Sequence, residues 1–364
     1  MEVKSKVQAL SSLRKIPKIN EKKIHLDSLK LFNRLIIFAQ RDMTVETSLS
    51  YELTPFPLSL VSNKDQKMNK ANKAGFSKTS LKELTDPLDL TNQSCSTLVV
   101  DGGWLLYMVK WEQGQTWQEI VNSYLSYVQC IGHRSQKTIV VFDGYSRSPK
   151  DHDHIRRTKK SCCDLQIQPD MIHWTPRAKF LDNTNNKSEL IHLLSSTFRT
   201  HNITVEQCDN DADTSIVREA LATATDASVE VRAEDADVLV MLVHHIPSTN
   251  HPLFFTTSKG SYDVRRIREA LSERERCYLL FCHAFTGCDT VFCNSWPWEN
   301  NTYLTGDIDE HMDIFLDTQA TKDAVIQAGT TIFQYIYHAP GTALGEIRHN
   351  MFSRKAAAEL IKNT

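Results

Sequence analysis

Short apolar runs alternate with amphipathic stretches along the middle of the chain. Four of these runs, at 97–100, 138–142, 203–205 and 229–231, have the length and the β-branched content of buried strands. Continuous apolar runs are typical of strands covered on both faces, as in parallel sheets. The pattern therefore predicts an α/β fold with a mostly parallel, twisted sheet flanked by helices.

Amphipathic segments separate or follow these strands. The segment that begins at Thr116 carries a capping box, Thr-x-x-Glu, and continues with apolar residues at three- and four-residue spacing. The same reasoning predicts further elements in the order helix 29–39, helix 188–198, helix 216–224, strand 253–255, helix 264–271 and helix 274–284. After the first strand, Asp101-Gly102-Gly103 predicts a turn.

Aspartates follow four of the predicted strands. They are two single residues and two pairs with one alanine between the carboxylates, namely Asp101, Asp143, Asp211 with Asp213, and Asp235 with Asp237. The carboxyl ends of parallel strands share one edge of a sheet, so these side chains are expected to converge. One such aspartate is usually a helix cap, but repetition over four strands favours a metal site. Clustered carboxylates suit Mg²⁺ or Mn²⁺, and two such ions about 4 Å apart can promote phosphodiester hydrolysis.

The two aspartate pairs belong to a strongly acidic segment. Residues 205–240 contain ten acids against two bases, and carboxylates beside a core repel one another unless a cation neutralises them. Four other acids are interpreted as surface charges, namely Glu206, Glu219, Asp226 and Glu230. Asp209 and Glu234 are interpreted as residues that could contact the metal ligands without binding the metal themselves.

Composition excludes several classes of protein. The chain of 364 residues is 41% hydrophobic and 24% charged, as in soluble globular proteins, and no apolar stretch has the ~20 residues of a membrane span. The N-terminus lacks a secretory pattern, and the nine cysteines include no CxxC, which indicates an intracellular location, nuclear or cytoplasmic. The net charge of −2 restricts any nucleic-acid surface to a local patch.

Motifs of competing enzyme classes are missing. The sequence contains no GxxxxGKS/T or GxGxxG phosphate loop, no HExxH and no GxSxG. The best zinc candidate is a row of cysteines near His283, namely Cys277, Cys282, Cys288 and Cys293. Their spacings are wider than structural zinc sites prefer, so buried free thiols are the preferred interpretation. His244 and His245 are interpreted as helix-end residues.

Five motifs follow one another through the α/β region: VVDGGWLLY, VVFDGY, DNDADTSIV, EDADVLVML and FTGCDT. In this order they resemble the PIN-like nuclease superfamily, nearest to its flap-endonuclease branch and to mobile-element-associated members of that branch. SYELTPFPLSL and FLDNTNNK extend the resemblance to that group. The resemblance covers roughly residues 95–295. It implies a nuclease that uses two divalent ions and leaves a 5′ phosphate.

The resemblance also implies roles for individual residues. The family's metal-binding acids fall on seven positions, namely Asp101, Asp143, Asp211, Asp213, Asp235, Asp237 and Asp289. The family places basic residues that contact the scissile phosphate on the helix after the second strand. Lys150 and Arg157 stand at the corresponding positions, although 156–160 also has the composition of a nuclear-localisation run.

Three departures from the family pattern leave two hypotheses open. The first acidic pair is usually Glu-Ala-Glu, whereas here it is Asp-Ala-Asp, and a glycine-rich helix–turn–helix usually follows the last acid, whereas 291–298 contains no glycine. About ninety residues also precede the first predicted strand, whereas flap endonucleases usually begin close to it. The first hypothesis is a metal-dependent nuclease that hydrolyses DNA or RNA with two Mg²⁺ or Mn²⁺ ions. The second is a catalytically weak or inactive scaffold, derived from a mobile element, that binds nucleic acid or protein.

Three regions are predicted along the chain. Residues 1–94 form a basic arm followed by an irregular or helical peripheral region, since 1–30 contains eight bases against three acids. Residues 95–295 form the PIN-like core. Residues 296–364 form a helical extension, with one helix at 355–362.

Overall fold

A six-stranded sheet with helices on both faces forms the core of residues 73–283. The computed structural model of the chain divides into this unit and a second one, residues 1–72 with 284–364. It describes residues 18–19, 22–23, 32–33, 36–37, 40, 44, 81, 84–90, 93–144, 163–209, 211–246, 251–287, 308–336 and 339–347. The domain boundaries predicted after residues 94 and 295 stay a prediction.

The sheet contains five parallel strands and one antiparallel edge strand. In chain order they are β1 (Cys95–Asp101), β2 (Ser135–Phe142), β3 (Thr204–Gln207), β4 (Val229–Arg232), β5 (Leu253–Thr257) and β6 (Gly260–Asp263). Across the sheet their order is β3-β2-β1-β4-β5-β6, with β6 antiparallel to β5. The predicted α/β fold with a mostly parallel sheet is confirmed.

The strand order reverses beside β1. From β1 the chain adds β2 and then β3 on one side, and it later adds β4 and β5 on the other side. At such a reversal the connections leave the sheet in opposite directions and open a crevice at the carboxyl ends of the central strands. Asp101 ends β1 and Asp235 follows β4, so both lie at this crevice.

Eight α-helices begin in the described residues of this unit. They are α1 (Gly102–Met108), α2 (Trp117–Gly132), α3 (Arg177–Leu181), α4 (Thr184–Thr200), α5 (Ala212–Ala224), α6 (Ala236–His245), α7 (Val264–Ala270) and α8 (Glu273–Gly287). The predicted capping box starts α2, because the Thr116 side chain accepts from the Glu119 N–H while the Glu119 carboxylate accepts from the Thr116 N–H. His244 and His245 end α6, as predicted.

Both faces of the sheet are buried. On one face, Leu98, Val100 and Phe142 pack against α1, α2 and α4. α5 contacts β1, β2 and β4 but contributes no described residue to that apolar cluster, so it covers the opposite face, toward which Val99 points. Burial on both sides explains why β1 and β2 are continuous apolar runs rather than alternating ones.

Three elements differ from the sequence predictions, and one of them is α3, whose five residues are too few for a helical period to show in the sequence. Asp101-Gly102-Gly103 forms no turn, because α1 begins directly at Gly102. A Cβ added at Gly102 would lie 2.3 Å from the Phe142 ring, so glycine is needed for this close packing. The third unpredicted element is β6, whose residues Gly-Ser-Tyr-Asp carry no apolar run. It is held by its pairing with β5.

Glu230 was predicted to be a surface charge, and that prediction is wrong. Its side chain is 7% exposed and accepts a 2.8 Å hydrogen bond from Arg232 Nε. β4 is a central strand, so its side chains are covered, and the guanidinium partner offsets part of the cost of burying the carboxylate. By contrast, Asp226 is exposed.

The unit of residues 1–72 and 284–364 contains two packed helices. α9 (Asp309–Leu316) and α10 (Lys322–Ile336) lie against each other. The Phe285 ring packs on both, with its centroid 5.8 Å from that of Phe315 and 5.0 Å from that of Phe333. These helices agree with the predicted helical extension, whereas the helix predicted at 355–362 lies outside the described residues.

The N-terminal part is described at a few positions. Lys18–Ile19 pairs with Lys22–Lys23 as a short antiparallel ladder, and residues 32–33 and 36–37 are helical within the predicted helix 29–39. Among the described residues, no helix combines the length and the apolar character needed to cross a membrane.

The backbone closes tightly behind Asp143. A Cβ added at Gly144 would lie 2.0 Å from the carbonyl oxygen of Cys208 and 2.3 Å from the carbonyl carbon of Asp209. The chain segments that leave β2 and β3 therefore touch at Gly144. A side chain there would push apart the two strand ends that lead to Asp143 and Asp211.

We expect Gly144→Ala to lower the free energy of unfolding by about 1–3 kcal/mol, the usual range for overpacking. Chemical denaturation of the purified variant measures this change. Gly345→Ala is the control, because an added Cβ there meets nothing within 4 Å. A Gly144→Ala protein as stable as this control would contradict the close approach of the two segments.

Candidate metal centre

Each aspartate pair opens a helix. Asp211 is the N-cap of α5, and its carboxylate accepts a hydrogen bond from the Asp213 N–H at 3.3 Å. Asp235 caps α6 in the same way and accepts from the Asp237 N–H at 3.0 Å. Capping accounts for the first aspartate of each pair, as it does for most single strand-end aspartates. It does not account for Asp213 and Asp237, which stand in the first turns of the two helices.

The two single aspartates are anchored to the same edge. Asp101 caps α1 and accepts from the Trp104 N–H at 3.1 Å. Asp143 accepts from the Ala212 N–H at 3.0 Å, which ties the end of β2 to the start of α5. A Cβ added at Gly103 would lie 3.1 Å from Asp101 Oδ1 and 3.6 Å from Asp143 Oδ2, so both carboxylates flank this backbone position.

Three of the carboxylates meet closely enough to share one cation. Oxygens of Asp213, Asp235 and Asp237 lie within 4.8 Å of one another, and all three residues are half-buried. Oxygens on opposite sides of a Mg²⁺ ion lie about 4 Å apart, since each sits 2.0–2.1 Å from the metal. The upper limit of 4.8 Å is only slightly longer than this separation, so the three carboxylates could together contact one hard divalent ion.

Burial and mutual repulsion change the acidity of two members of the cluster. Burial, followed by the charges of Asp211, Asp235, Asp101 and Asp237, raises the pKa of Asp213 to about 8. Burial also raises the pKa of Asp101 to about 6, although the Trp104 N–H counteracts it, and the Asp143 charge adds to the increase. Without a cation, the cluster therefore retains protons at pH values where ordinary aspartates are ionised. A divalent ion would neutralise the same charges, so the donor set fits such an ion.

A histidine contacts the cluster from α8. His283 is buried, and its Nε2–H donates a 2.8 Å hydrogen bond to Asp237 Oδ1. In the sequence, His283 was considered only as a companion of the cysteine row. Cys282 is buried and Cys277 is exposed, while Cys288 and Cys293 lie outside the described residues. The structure thus brings His283 to the acidic cluster, where it can fix the orientation of the Asp237 carboxylate.

Lys187 is a second residue that the sequence reasoning did not single out. It lies in α4, and its Nζ is 3.8 Å from Asp143 Oδ2. In the sequence, Lys187 was notable only as part of FLDNTNNK, a motif that extends the resemblance and implies no role for the lysine. An asparagine-rich helix start followed by a lysine in the first turn is the pattern that could have drawn attention to it.

Three of the predicted site residues lie outside the described part of the chain, namely Lys150, Arg157 and Asp289. The other six aspartates converge on the crevice, and burial and charge couple Asp101 and Asp213 to the remaining four. Their role as metal ligands stays a prediction.

Solved structures similar to this chain include several nucleases. The catalytic core of Rad2 in complex with DNA substrate is 12% identical, with a TM-score of 0.40 and 78% of each chain covered. The T5 5′-exonuclease is 14% identical, with a TM-score of 0.37 and coverage of 67% of this chain and 86% of that chain. Human GEN1 in complex with Holliday junction DNA is 13% identical, with a TM-score of 0.38 and coverage of 77% of this chain and 61% of that chain.

No protein-family model matches the sequence, and no curated protein does.

We expect Asp213→Asn to stabilise the metal-free protein at alkaline pH. The folded protein holds the Asp213 proton up to about pH 8, whereas the unfolded chain releases it near the ordinary value of 3.8. The free energy of unfolding of the wild type therefore decreases as the pH rises from about 4 to about 8. Asparagine does not titrate, so the variant does not show this decrease. In thermal unfolding with EDTA at pH 8, the variant midpoint should be higher by at least about 2–4 °C, which corresponds to about 1 kcal/mol.

The pH profile distinguishes this effect from a general change in packing. The stability difference between Asp213→Asn and wild type should grow from about pH 4 to about pH 8 and then level off. Asp226→Asn, at an exposed position after α5, should follow the wild type at every pH. A difference that does not vary with pH would show that the Asp213 proton is not the cause.

Proposed function

We propose that this protein is a metal-dependent nuclease that hydrolyses phosphodiester bonds of DNA or RNA with two Mg²⁺ or Mn²⁺ ions. One observation carries the proposal: β1 to β4 end side by side, and each leads to at least one aspartate of a single cluster. The nucleic-acid substrate follows from the motif resemblance.

We assign the acids to two ions. Asp213, Asp235 and Asp237 would hold one ion, since their oxygens lie within 4.8 Å of one another. Asp101 and Asp143 flank Gly103 next to this group and would contribute to a second ion together with Asp211. When bound, two divalent ions lower the pKa of the attacking water and stabilise the leaving oxygen of the phosphodiester.

The chain's own part in the reaction is positioning. The N-caps formed by Asp101, Asp211 and Asp235 fix these carboxylates to the starts of three helices, and His283 orients Asp237. A set of charges held by helix ends and a packed sheet does not need to reorganise when substrate charge develops. The half-buried position of Asp213 also limits screening by water, which strengthens each interaction in the site.

We expect the double variant Asp235→Asn/Asp237→Asn to lose cleavage by at least about 10²-fold, because transition-state charge loses its stabilisation. Labelled single-stranded, flapped and structured DNA and RNA would be incubated with Mg²⁺ or Mn²⁺ and analysed on denaturing gels. EDTA should abolish cleavage by the wild type. Asp226→Asn, which removes an exposed acid of the same segment, should cleave as the wild type does.

Cleavage that survives EDTA, or that survives the double substitution, would refute the proposal. Wild-type protein that binds Mn²⁺ and oligonucleotides without cutting any substrate would instead favour the nucleic-acid-binding scaffold. Calorimetric titration with Mn²⁺ tests the metal site independently of cleavage, because the double variant should lose metal binding whether or not the wild type is active.

A further inference from the structure

A lysine from outside the strand-end motifs lies beside the acidic cluster. Lys187 Nζ is 3.8 Å from Asp143 Oδ2, and the lysine side chain is 15% exposed while that of Asp143 is 38% exposed. An ammonium this well covered loses much of its hydration, and anions nearby must offset the loss. The charge of Lys187 therefore interacts mainly with the aspartate cluster rather than with water.

The position of Lys187 in its helix does not favour a cation. Lys187 is the fourth residue of α4, and the first turn of that helix contains no acid. The N-terminal end of a helix carries partial positive charge, which disfavours lysine and favours acidic or neutral side chains. The helix dipole therefore disfavours a lysine at this position, whereas the negative charge of Asp143 stabilises it.

A polar network fixes the backbone from which Lys187 projects. Asn183 is the N-cap of α4, and its carbonyl oxygen accepts from the Lys187 N–H at 2.9 Å. The buried Asn186 side chain accepts from the Leu165 N–H at 2.7 Å and donates to the Cys163 carbonyl oxygen at 3.0 Å. These bonds hold the first turn of α4 in place, so the approach of Lys187 to Asp143 is set by the fold.

We infer that Lys187 binds a non-bridging oxygen of the substrate phosphodiester next to Asp143. This inference rests on the proposed function and adds to it a phosphate contact supplied by α4. The 3.8 Å separation exceeds the ~2.7–2.9 Å of a charge-assisted hydrogen bond, so Lys187 and Asp143 are paired by charge at a longer distance. An ammonium has three donors on a flexible stem, and its charge offsets the repulsion between a phosphate and the carboxylates.

A purely positioning role for Lys187 predicts a different result for metal binding. If the ammonium only oriented Asp143 as a ligand, its removal would loosen that ligand and weaken metal binding. If the ammonium serves the phosphate, its removal takes away a charge that repels the metal, so metal binding is retained or becomes tighter. Nucleic-acid binding then loses one ionic contact.

The experiment compares Lys187→Gln and Lys187→Arg with wild type and with Lys137→Gln. Lys137 lies near the amino end of β2, the same strand whose carboxyl end leads to Asp143, and is exposed. Binding of Mn²⁺ alone is measured by electron paramagnetic resonance. Binding of a fluorescent oligonucleotide is measured by anisotropy in Ca²⁺ over a range of salt concentrations, and cleavage is measured in Mn²⁺.

Lys187→Gln should bind Mn²⁺ at least as tightly as the wild type. It should bind the oligonucleotide about tenfold more weakly, with the slope of log K against log salt reduced by about 1. Cleavage should fall by at least about tenfold, and Lys187→Arg should recover most of both losses. Lys137→Gln should match the wild type in all three measurements.

Weaker Mn²⁺ binding with unchanged oligonucleotide binding would overturn the inference in favour of a positioning role. Wild-type protein that does not bind the oligonucleotide would also overturn it. Wild-type protein that binds through Lys187 but cleaves nothing would refute the nuclease proposal while supporting the phosphate contact. Lys187→Met, which removes the charge and keeps an unbranched stem, repeats the measurements if Lys187→Gln does not fold.

Discussion

Repulsion among carboxylates at the carboxyl edge of the sheet is the interaction on which the rest of the site depends. Four adjacent parallel strands lead to these carboxylates, and partial burial keeps water from screening them. The charge can be relieved by protons or by cations. Burial, and after it repulsion from the neighbouring carboxylates, raises the pKa values of Asp213 and Asp101, so both groups hold their protons more tightly when no cation is present. Protons and metal ions therefore compete for the same oxygens, and metal binding should release protons.

The fold holds these repelling groups together because each is hydrogen-bonded to the start of a helix. Asp101, Asp211 and Asp235 are helix caps, and Asp143 is bound to the backbone at the start of α5. These hydrogen bonds hold the carboxylates in place locally. The burial of both faces of the sheet supplies the free energy that offsets the repulsion between them. Stability is thus supplied by the apolar layers, and the crevice at the reversal of strand order can remain electrostatically unfavourable until a cation binds.

The sequence predicted the parts of this arrangement that depend on local patterns. Apolar runs and a capping box located the main strands and α2, and the position of the aspartates after the strands predicted their convergence. Features that depend on tertiary packing were missed. The burial of Glu230 follows from the central place of β4, which one strand's own sequence does not reveal. The approach of Lys187 to Asp143 joins positions 44 residues apart, and no local period encodes that contact.

The Asp-Ala-Asp form of the first acidic pair allows a helix cap that the Glu-Ala-Glu form expected from the motif resemblance would not favour. A short side chain lets Asp211 accept from the Asp213 N–H and cap α5, whereas glutamate is not among the preferred N-cap residues. The loss of one methylene on each side shortens the reach of the carboxylates. The first pair has the same cap geometry as Asp235 with Asp237. In both helices the first aspartate is the N-cap and the second lies in the first turn. The shorter reach is therefore coupled to a more rigid anchor, and the sequence difference is compatible with a metal site built from half-buried aspartates.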